Sequence, residues 1–168
     1  YKRQGGTSVS ISATDGDLRN SGLIRGGDVS LTAQTGDVIN ENLARREQLI
    51  DGYVTREGAR GGIEASGDLL MQGENLTLQG GTSTSATGRA TLNARQDVNL
   101  QAQAYSDERR SSITQRSGLW GISSKKTTRI DRTTRIEGAS LSGAGGVSIS
   151  AGRDVDVTAS RINSASGG

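Results

Sequence analysis

The sequence predicts an all-β fold, a parallel β-helix in which short strands stack coil upon coil. Three observations predict it. Short runs alternate apolar and polar residues, as in Val147-Ser148-Ile149-Ser150-Ala151 and Val155-Asp156-Val157-Thr158-Ala159, and a period of two puts the apolar set on one face of a pleated strand. Such runs recur at a fixed offset of 20 early in the chain: Val9/Val29, Ile11/Leu31, Ala13/Ala33, Gly16/Gly36, Asp17/Asp37 and Leu18/Val38. Between the runs lie turn signals such as Gly152-Arg153-Asp154, with no helical segment.

Taken in order, Val9 to Ala13 opens the first unit and Asp15-Gly16-Asp17 makes its turn. Val29 to Ala33 with Gly36-Asp37 repeats it. Asp28-Val29 to Asp68-Leu69 is an offset of 40, read as two periods. Asn75 to Gln79, Ala90 to Ala94 and Asp97 to Ala102 continue the pattern, and Ala90 to Ala94 maps onto Val147 to Ala151 at an offset of 57, read as three periods of 19. One coil of two or three short strands cannot bury its own apolar face; stacked coils can, with like residues forming ladders. Roughly six coils at ordinary strand spacing give a rod of about 30 Å. Gly with Asp or Asn at the corners supplies tight-turn chemistry, so each Asp in Gly-Asp or Arg-Asp reads as a corner residue.

Two stretches break the repeat. Residues 46–57 read as a short hairpin outside the helix, because Asp51-Gly52 between β-prone runs fits a type I′ turn. That turn pairs Ile50 with Tyr53, Leu49 with Val54, Glu47 with Arg56 and Arg46 with Glu57; an amphipathic helix from Leu43 to Val54 is the alternative. Residues 105–137 read as a longer protruding hairpin, with its register open. It carries Arg109, Arg110, Arg116, Lys125, Lys126, Arg129, Arg132 and Arg135, the most basic part of the chain. Its centre, Leu119, Trp120 and Ile122, is an apolar cluster that reads either as packed back on the coils or as a contact with a partner or membrane interface. The whole, residues 1–168, reads as one β-helix fragment of a longer repeat protein, with end-to-end or edge association of the fragment as a further expectation.

Composition fits a thin, repeated core. Leu, Ile and Val number 32 of 168 residues, and Gly 25, while Pro, Phe, Cys and His are absent. Lys plus Arg is 20 against 18 for Asp plus Glu, so the net charge is only +2 and gives no case for nucleic acid; the one basic stretch has Trp120 alone for base stacking. Without cysteine there is no disulfide framework or thiolate metal site. Without histidine the usual general base, the Ser-His-Asp arrangement and the commonest metal ligand are gone. A Ser–Lys pair through Lys125 or Lys126 lacks anything to depress the lysine pKa. Asp15, Asp17 and Asp37 stack as a corner ladder as readily as they make a sugar-cleaving groove, and the aromatics for sugar stacking are nearly absent. Gly26-Gly27-Asp28 does not extend to a calcium-binding nonapeptide, and no Gly-rich turn precedes a helix. The expectation is a chain that is not an enzyme and takes no cofactor or metal.

The units Gly-Gly-Asp-Val-Ser-Leu-Thr-Ala (26–33), Gln-Asp-Val-Asn-Leu-Gln-Ala (96–102) and Gly-Arg-Asp-Val-Asp-Val-Thr-Ala (152–159) resemble the haemagglutinin repeats of two-partner-secreted exoproteins, the filamentous haemagglutinin and CdiA-like proteins. Ser-Gly-Leu-Trp-Gly-Ile (117–122) within a Ser/Thr/Lys-rich insertion, followed by Gly-Ala-Ser-Leu-Ser-Gly (138–143), resembles their second repeat region. The resemblance implies a right-handed parallel β-helix, secreted through an outer-membrane partner transporter and displayed on the surface of a Gram-negative bacterium. It implies a delivery role in contact-dependent growth inhibition, engaging a target cell's surface or outer membrane, or an adhesin role towards a host receptor or membrane. It brings no catalytic residues.

Overall fold

The computed structural model describes residues 7–117 and 123–165. In chain order the strands are β1 (Val9–Ala13), β2 (Leu18–Asn20), β3 (Leu23–Gly26), β4 (Val29–Ala33), β5 (Val38–Glu41), β6 (Ala44–Leu49), β7 (Gly52–Glu57) and β8 (Gly62–Ala65). They continue as β9 (Leu69–Gly73), β10 (Leu76–Gln79), β11 (Thr82–Ser85), β12 (Ala90–Ala94), β13 (Val98–Gln101), β14 (Gln103–Ser117), β15 (Ser123–Glu137), β16 (Ser140–Gly143), β17 (Val147–Ala151), β18 (Val155–Thr158) and β19 (Arg161–Ser164). They form three five-stranded parallel sheets, ordered β1-β4-β9-β12-β17, β2-β5-β10-β13-β18 and β3-β8-β11-β16-β19, and one four-stranded sheet ordered β15-β14-β7-β6. The chain visits the three parallel sheets in turn, once per coil, as the parallel β-helix expectation requires.

Each coil therefore holds three strands. The offset of 20 is the length of the first coil, and Val9, Ile11 and Ala13 lie beside Val29, Leu31 and Ala33 as expected. The offsets of 40 and 57 are not multiples of it. Val29 is the direct neighbour of Leu69, and Ala90 that of Val147. Each is a single coil step lengthened by an insertion: β6 and β7 in one, β14 and β15 in the other. The coils therefore number five, not six, and at ordinary strand spacing the first and last lie roughly 19 Å apart.

Inward residues line up as ladders. One column runs Ile11, Leu31, Met71, Leu92, Ile149; another runs Leu18, Val38, Leu76, Val98, Val155. Leu31, Met71, Leu92, Val38, Leu76 and Val98 are fully buried, whereas Ile149 is half-buried and Val155 exposed in the last coil.

The corners are held by carboxylates and amides that reach from coil to coil. Asp17 Oδ1 accepts the Asp37 amide at 3.0 Å, Asp37 Oδ1 the Asn75 amide at 3.0 Å, Asn75 Oδ1 the Asp97 amide at 3.2 Å, and Asp97 Oδ1 the Asp154 amide at 3.3 Å. Asp28 and Asp68 do the same at a second corner, accepting the Asp68 and Arg89 amides at 2.9 and 2.8 Å. The corner reading of these aspartates holds, with one refinement: each serves the next coil's turn. At the third corner buried asparagines do this work. Asn20 Nδ2 donates to Asn40 Oδ1 at 2.8 Å, and Asn42 Nδ2 donates to the Gly80 carbonyl at 2.6 Å. Both insertions leave the coils at this third corner, after β5 and after β13. At the first exit, Leu43 N–H donates to Ala59 O and Gly58 N–H to Leu43 O, both at 2.8 Å, which joins the two ends of the interrupted coil.

The two insertions, Ala44–Glu57 and Ala104–Ile136, make up a second compact unit. The sequence suggested two separate hairpins; instead β7 pairs antiparallel with β14, Tyr53 opposite Glu108 and Gly52 opposite Arg109, so that both belong to one sheet. The first hairpin's register also differs from expectation. Leu49 pairs with Gly52, Gln48 with Tyr53, Glu47 with Val54, Arg46 with Thr55 and Ala44 with Glu57. The turn residues are thus Ile50 and Asp51, and neither has a positive φ, so this is no type I′ turn. The physical reason lies at Gly52. A Cβ there would stand 1.8 Å from the Glu108 carbonyl oxygen, so the glycine serves close strand approach instead of the turn. A shift of two keeps every side chain on its face. Glu47 and Arg56 accordingly still form their ion pair, as diagonal neighbours.

Candidate functional site

The coil surfaces are lined by Ser, Thr, Asn and ion pairs such as Arg25–Glu64 at 2.6 Å and Arg60–Glu137 at 3.3 Å. A depression of about 570 Å³ beside Asp68, Leu70, Arg89 and Thr91 holds a single carboxylate, already engaged with the Arg89 amide. Glycoside cleavage in its usual form needs two carboxylates facing a common bond, and this depression does not supply them. Asp15, Asp17 and Asp37, the candidates for a sugar groove in the sequence, are engaged as well: Asp15 Oδ1 accepts from Thr35 Oγ1 at 3.2 Å, Asp17 holds the Asp37 amide, and Asp37 holds the Asn75 amide. Among the described residues no group of three or more His, Cys, Asp or Glu is placed to hold a metal ion.

The antiparallel sheet offers more. Its strands, two of six residues and two of 15, are largely polar, and each presents every second side chain to one face. Glu108 and Tyr53 are directly opposed and share a face. Gln48 is opposite Tyr53, and Arg46, two residues away on β6, lays its guanidinium over the Tyr53 ring at 3.5 Å from the centroid. On β14, Arg110 lies two residues from Glu108 and donates from Nε to Glu108 Oε1 at 2.8 Å. From β15, Arg132 donates from Nε to Glu108 Oε2 at 2.9 Å. Glu108 is 6% exposed, while the Arg110 and Arg132 side chains are 60% and 70% exposed. The Arg132 and Arg110 hydrogen bonds hold the Glu108 carboxyl below the usual glutamate range, against the opposing effect of desolvation.

A row of side chains thus crosses all four strands: Arg46, Tyr53, Glu108 with Arg110, and Arg132. It borders a cleft of about 300 Å³ lined by Arg46, Gln48, Ile50, Gly52, Tyr53, Glu108 and Arg110. A second cation–aromatic contact braces the sheet elsewhere, where Arg135 lies over the buried Tyr105 at 5.0 Å and pairs with Glu57 at 2.7 Å. Ser106 Oγ and Thr134 Oγ1 meet at 3.2 Å. That contact and the Glu108–Arg132 bond both tie β14 to β15, its neighbour in the sheet.

Of the residues expected to make a partner contact, Leu119, Trp120 and Ile122 lie outside the described residues. Arg110 and Arg132, read from sequence as members of a general basic stretch, are brought together on one carboxylate. Glu108, Tyr53 and Arg46 were missed as site residues. Their sequence signals are weak, since Glu108 sits in the charged run Asp107-Glu108-Arg109-Arg110, and the pairing that brings it to Tyr53 joins segments 55 positions apart (108 less 53).

Fold and surface together define an all-β solenoid bearing an antiparallel hairpin sheet. No family model matches the chain, and no significant match is found among curated proteins or solved structures.

Proposed function

We propose that this chain is a structural and delivery segment of a large bacterial surface filament, of the CdiA-like kind that engages a target cell. The observation that supports it best is the division of labour along the chain. Five coils bury a continuous apolar core made only of coil residues, and two insertions leave the same corner to build a separate polar sheet. A stack of hydrogen-bonded coils is a stiff spacer, and a polar sheet built from insertions is free to vary without disturbing the core. The likeness of residues 26–33, 96–102, 117–122 and 152–159 to haemagglutinin repeats supplies the biological setting: export through an outer-membrane partner transporter and display on a Gram-negative cell surface.

A second reading, an adhesin segment that binds a host-cell receptor or membrane, is favoured by the basic character of the antiparallel sheet. Glycan cleavage ranks below both. The experiment removes residues 44–57 and 104–136, closes each gap with a short Gly-Ser link, and measures binding to Gram-negative cells, host cells and liposomes. The proposal expects a folded β-protein that loses binding to Gram-negative cells. Loss of host-cell binding alone favours the adhesin. Unchanged binding to every target would remove the sheet from the proposal, and reproducible release of reducing ends from polysaccharides by the intact chain would overturn the non-enzymatic reading.

A further inference from the structure

The Arg46–Tyr53–Glu108–Arg110–Arg132 row has chemistry that neither a spacer nor a general basic surface explains. Three guanidiniums and one carboxylate share it, an excess of two positive charges (3 − 1 = 2) on one face of one sheet. Elsewhere on the sheet Arg56 pairs with Glu47, Arg129 with Asp131 and Arg135 with Glu57, while Arg45, Arg109, Arg116, Lys125 and Lys126 add positive charge without a shared acid among the described residues to order them.

The geometry also leaves donors to spare. Arg110 and Arg132 each spend Nε on Glu108, one on each carboxylate oxygen, so a single buried acid fixes two guanidiniums side by side. Their terminal amino groups remain on well-exposed side chains. Arg46 makes no ion pair among the described residues and lies over the Tyr53 ring. Planar guanidiniums fixed in advance lose little rotamer freedom on binding and suit oxyanions that accept several hydrogen bonds at once. Two of them, Arg46 and Arg110, line the cleft, and Arg132 is held next to Arg110 by the shared Glu108; three such donors suit a tetrahedral oxyanion better than a planar carboxylate, which offers two oxygens in one plane.

We propose that this row is a phosphate-binding site in which Arg46, Arg110 and Arg132 hold the ligand and Glu108 and Tyr53 position them. The site stands on the geometry of the sheet and does not depend on the delivery reading. A phosphate group could come from a soluble phosphate compound or from a phospholipid headgroup, and the test separates the two.

The test titrates inorganic phosphate into the intact 168-residue chain at constant ionic strength and follows the arginine Nε–Hε resonances. Saturable shifts of Arg46, Arg110 and Arg132 are expected. Arg46→Gln and Arg132→Gln should each weaken binding about 10-fold or more, the scale of a lost hydrogen bond to a charged group. Arg129→Gln, whose partner is Asp131, should leave it unchanged. Arg46 is exposed and outside the Glu108 cluster, so its variant keeps the test valid even if Arg132→Gln disturbs the sheet. Sedimentation with phosphatidylglycerol vesicles, against phosphatidylcholine alone, identifies the source: parallel losses in the same variants assign a lipid headgroup, and binding of inorganic phosphate without vesicle binding assigns a soluble ligand. Shifts that chloride reproduces, no saturation, or tighter binding of acetate than of phosphate would each overturn the proposal.

Discussion

Leu92 sits fully buried in the column Ile11, Leu31, Met71, Leu92, Ile149, with coils on both sides, whereas Ile149 in the same column is half-buried. Truncation to alanine removes apolar burial and leaves a cavity, so Leu92→Ala should cost about 2–5 kcal/mol. Ile149→Ala should cost clearly less, and Asp156→Asn, on an exposed position of β18, should fall within about 0.5 kcal/mol of the parent. Urea denaturation of the three variants measures this order. Glu108 sets a pH dependence. Its carboxyl is depressed by Arg132 and Arg110, so the folded state favours the ionised form. The contribution to stability is complete above the ordinary glutamate value of 4.5 and is lost as the pH falls below it through the depressed folded value. Amide exchange of Tyr53 and Arg110 across that acid range should therefore show the antiparallel sheet loosening, and Glu108→Gln should flatten the dependence. At this scale alternation made the inward positions readable, including those of Asn20 and Asn40, which follow Leu18 and Val38 by two and share the offset of 20. That they would be buried together, Asn20 donating to Asn40 and both donating to corner carbonyls, depends on the shape of the corner, which no local pattern encodes.

Gly52 decides how elements meet. It pairs with Leu49 on one side and Arg109 on the other, so it lies inside the sheet. Gly52→Ala would drive a methyl group into the Glu108 carbonyl and should abolish the β7–β14 pairing, read as lost exchange protection at the Arg110 amide, which donates to the Asp51 carbonyl. Gly22 in the β2–β3 turn has open space around it, and Gly22→Ala should be almost silent in the same measurement. The Asp51-Gly52 dipeptide does mark a hairpin, but the turn residues are Ile50 and Asp51. Local turn chemistry favoured Asp-Gly at the tip, but the demand for a side-chain-free position against β14 placed the glycine one step into the strand. The two hairpins were each readable as β-prone runs around a turn. Their union into one sheet was not, because strand pairing between 44–57 and 103–137 is a long-range event with no periodic trace.

Across the whole molecule, the coil length was readable only where nothing interrupted it. Offsets of 40 and 57 resembled multiples of 20 and 19 by coincidence of insertion length, and they counted coils that do not exist. The stacking itself, three parallel sheets with equivalent residues in contact, followed from strands too short to bury an apolar face alone. The central claim is therefore topological: single coil steps at offsets 20, 40, 21 and 57, with both insertions in one antiparallel sheet. Interstrand nuclear Overhauser contacts measured on the isotope-labelled chain test it most directly. Contacts of Leu31 with Met71, Leu92 with Ile149 and Tyr53 with Glu108 are the predicted result; Tyr53 paired with Ile50, or Leu92 without Ile149 as a neighbour, would contradict it.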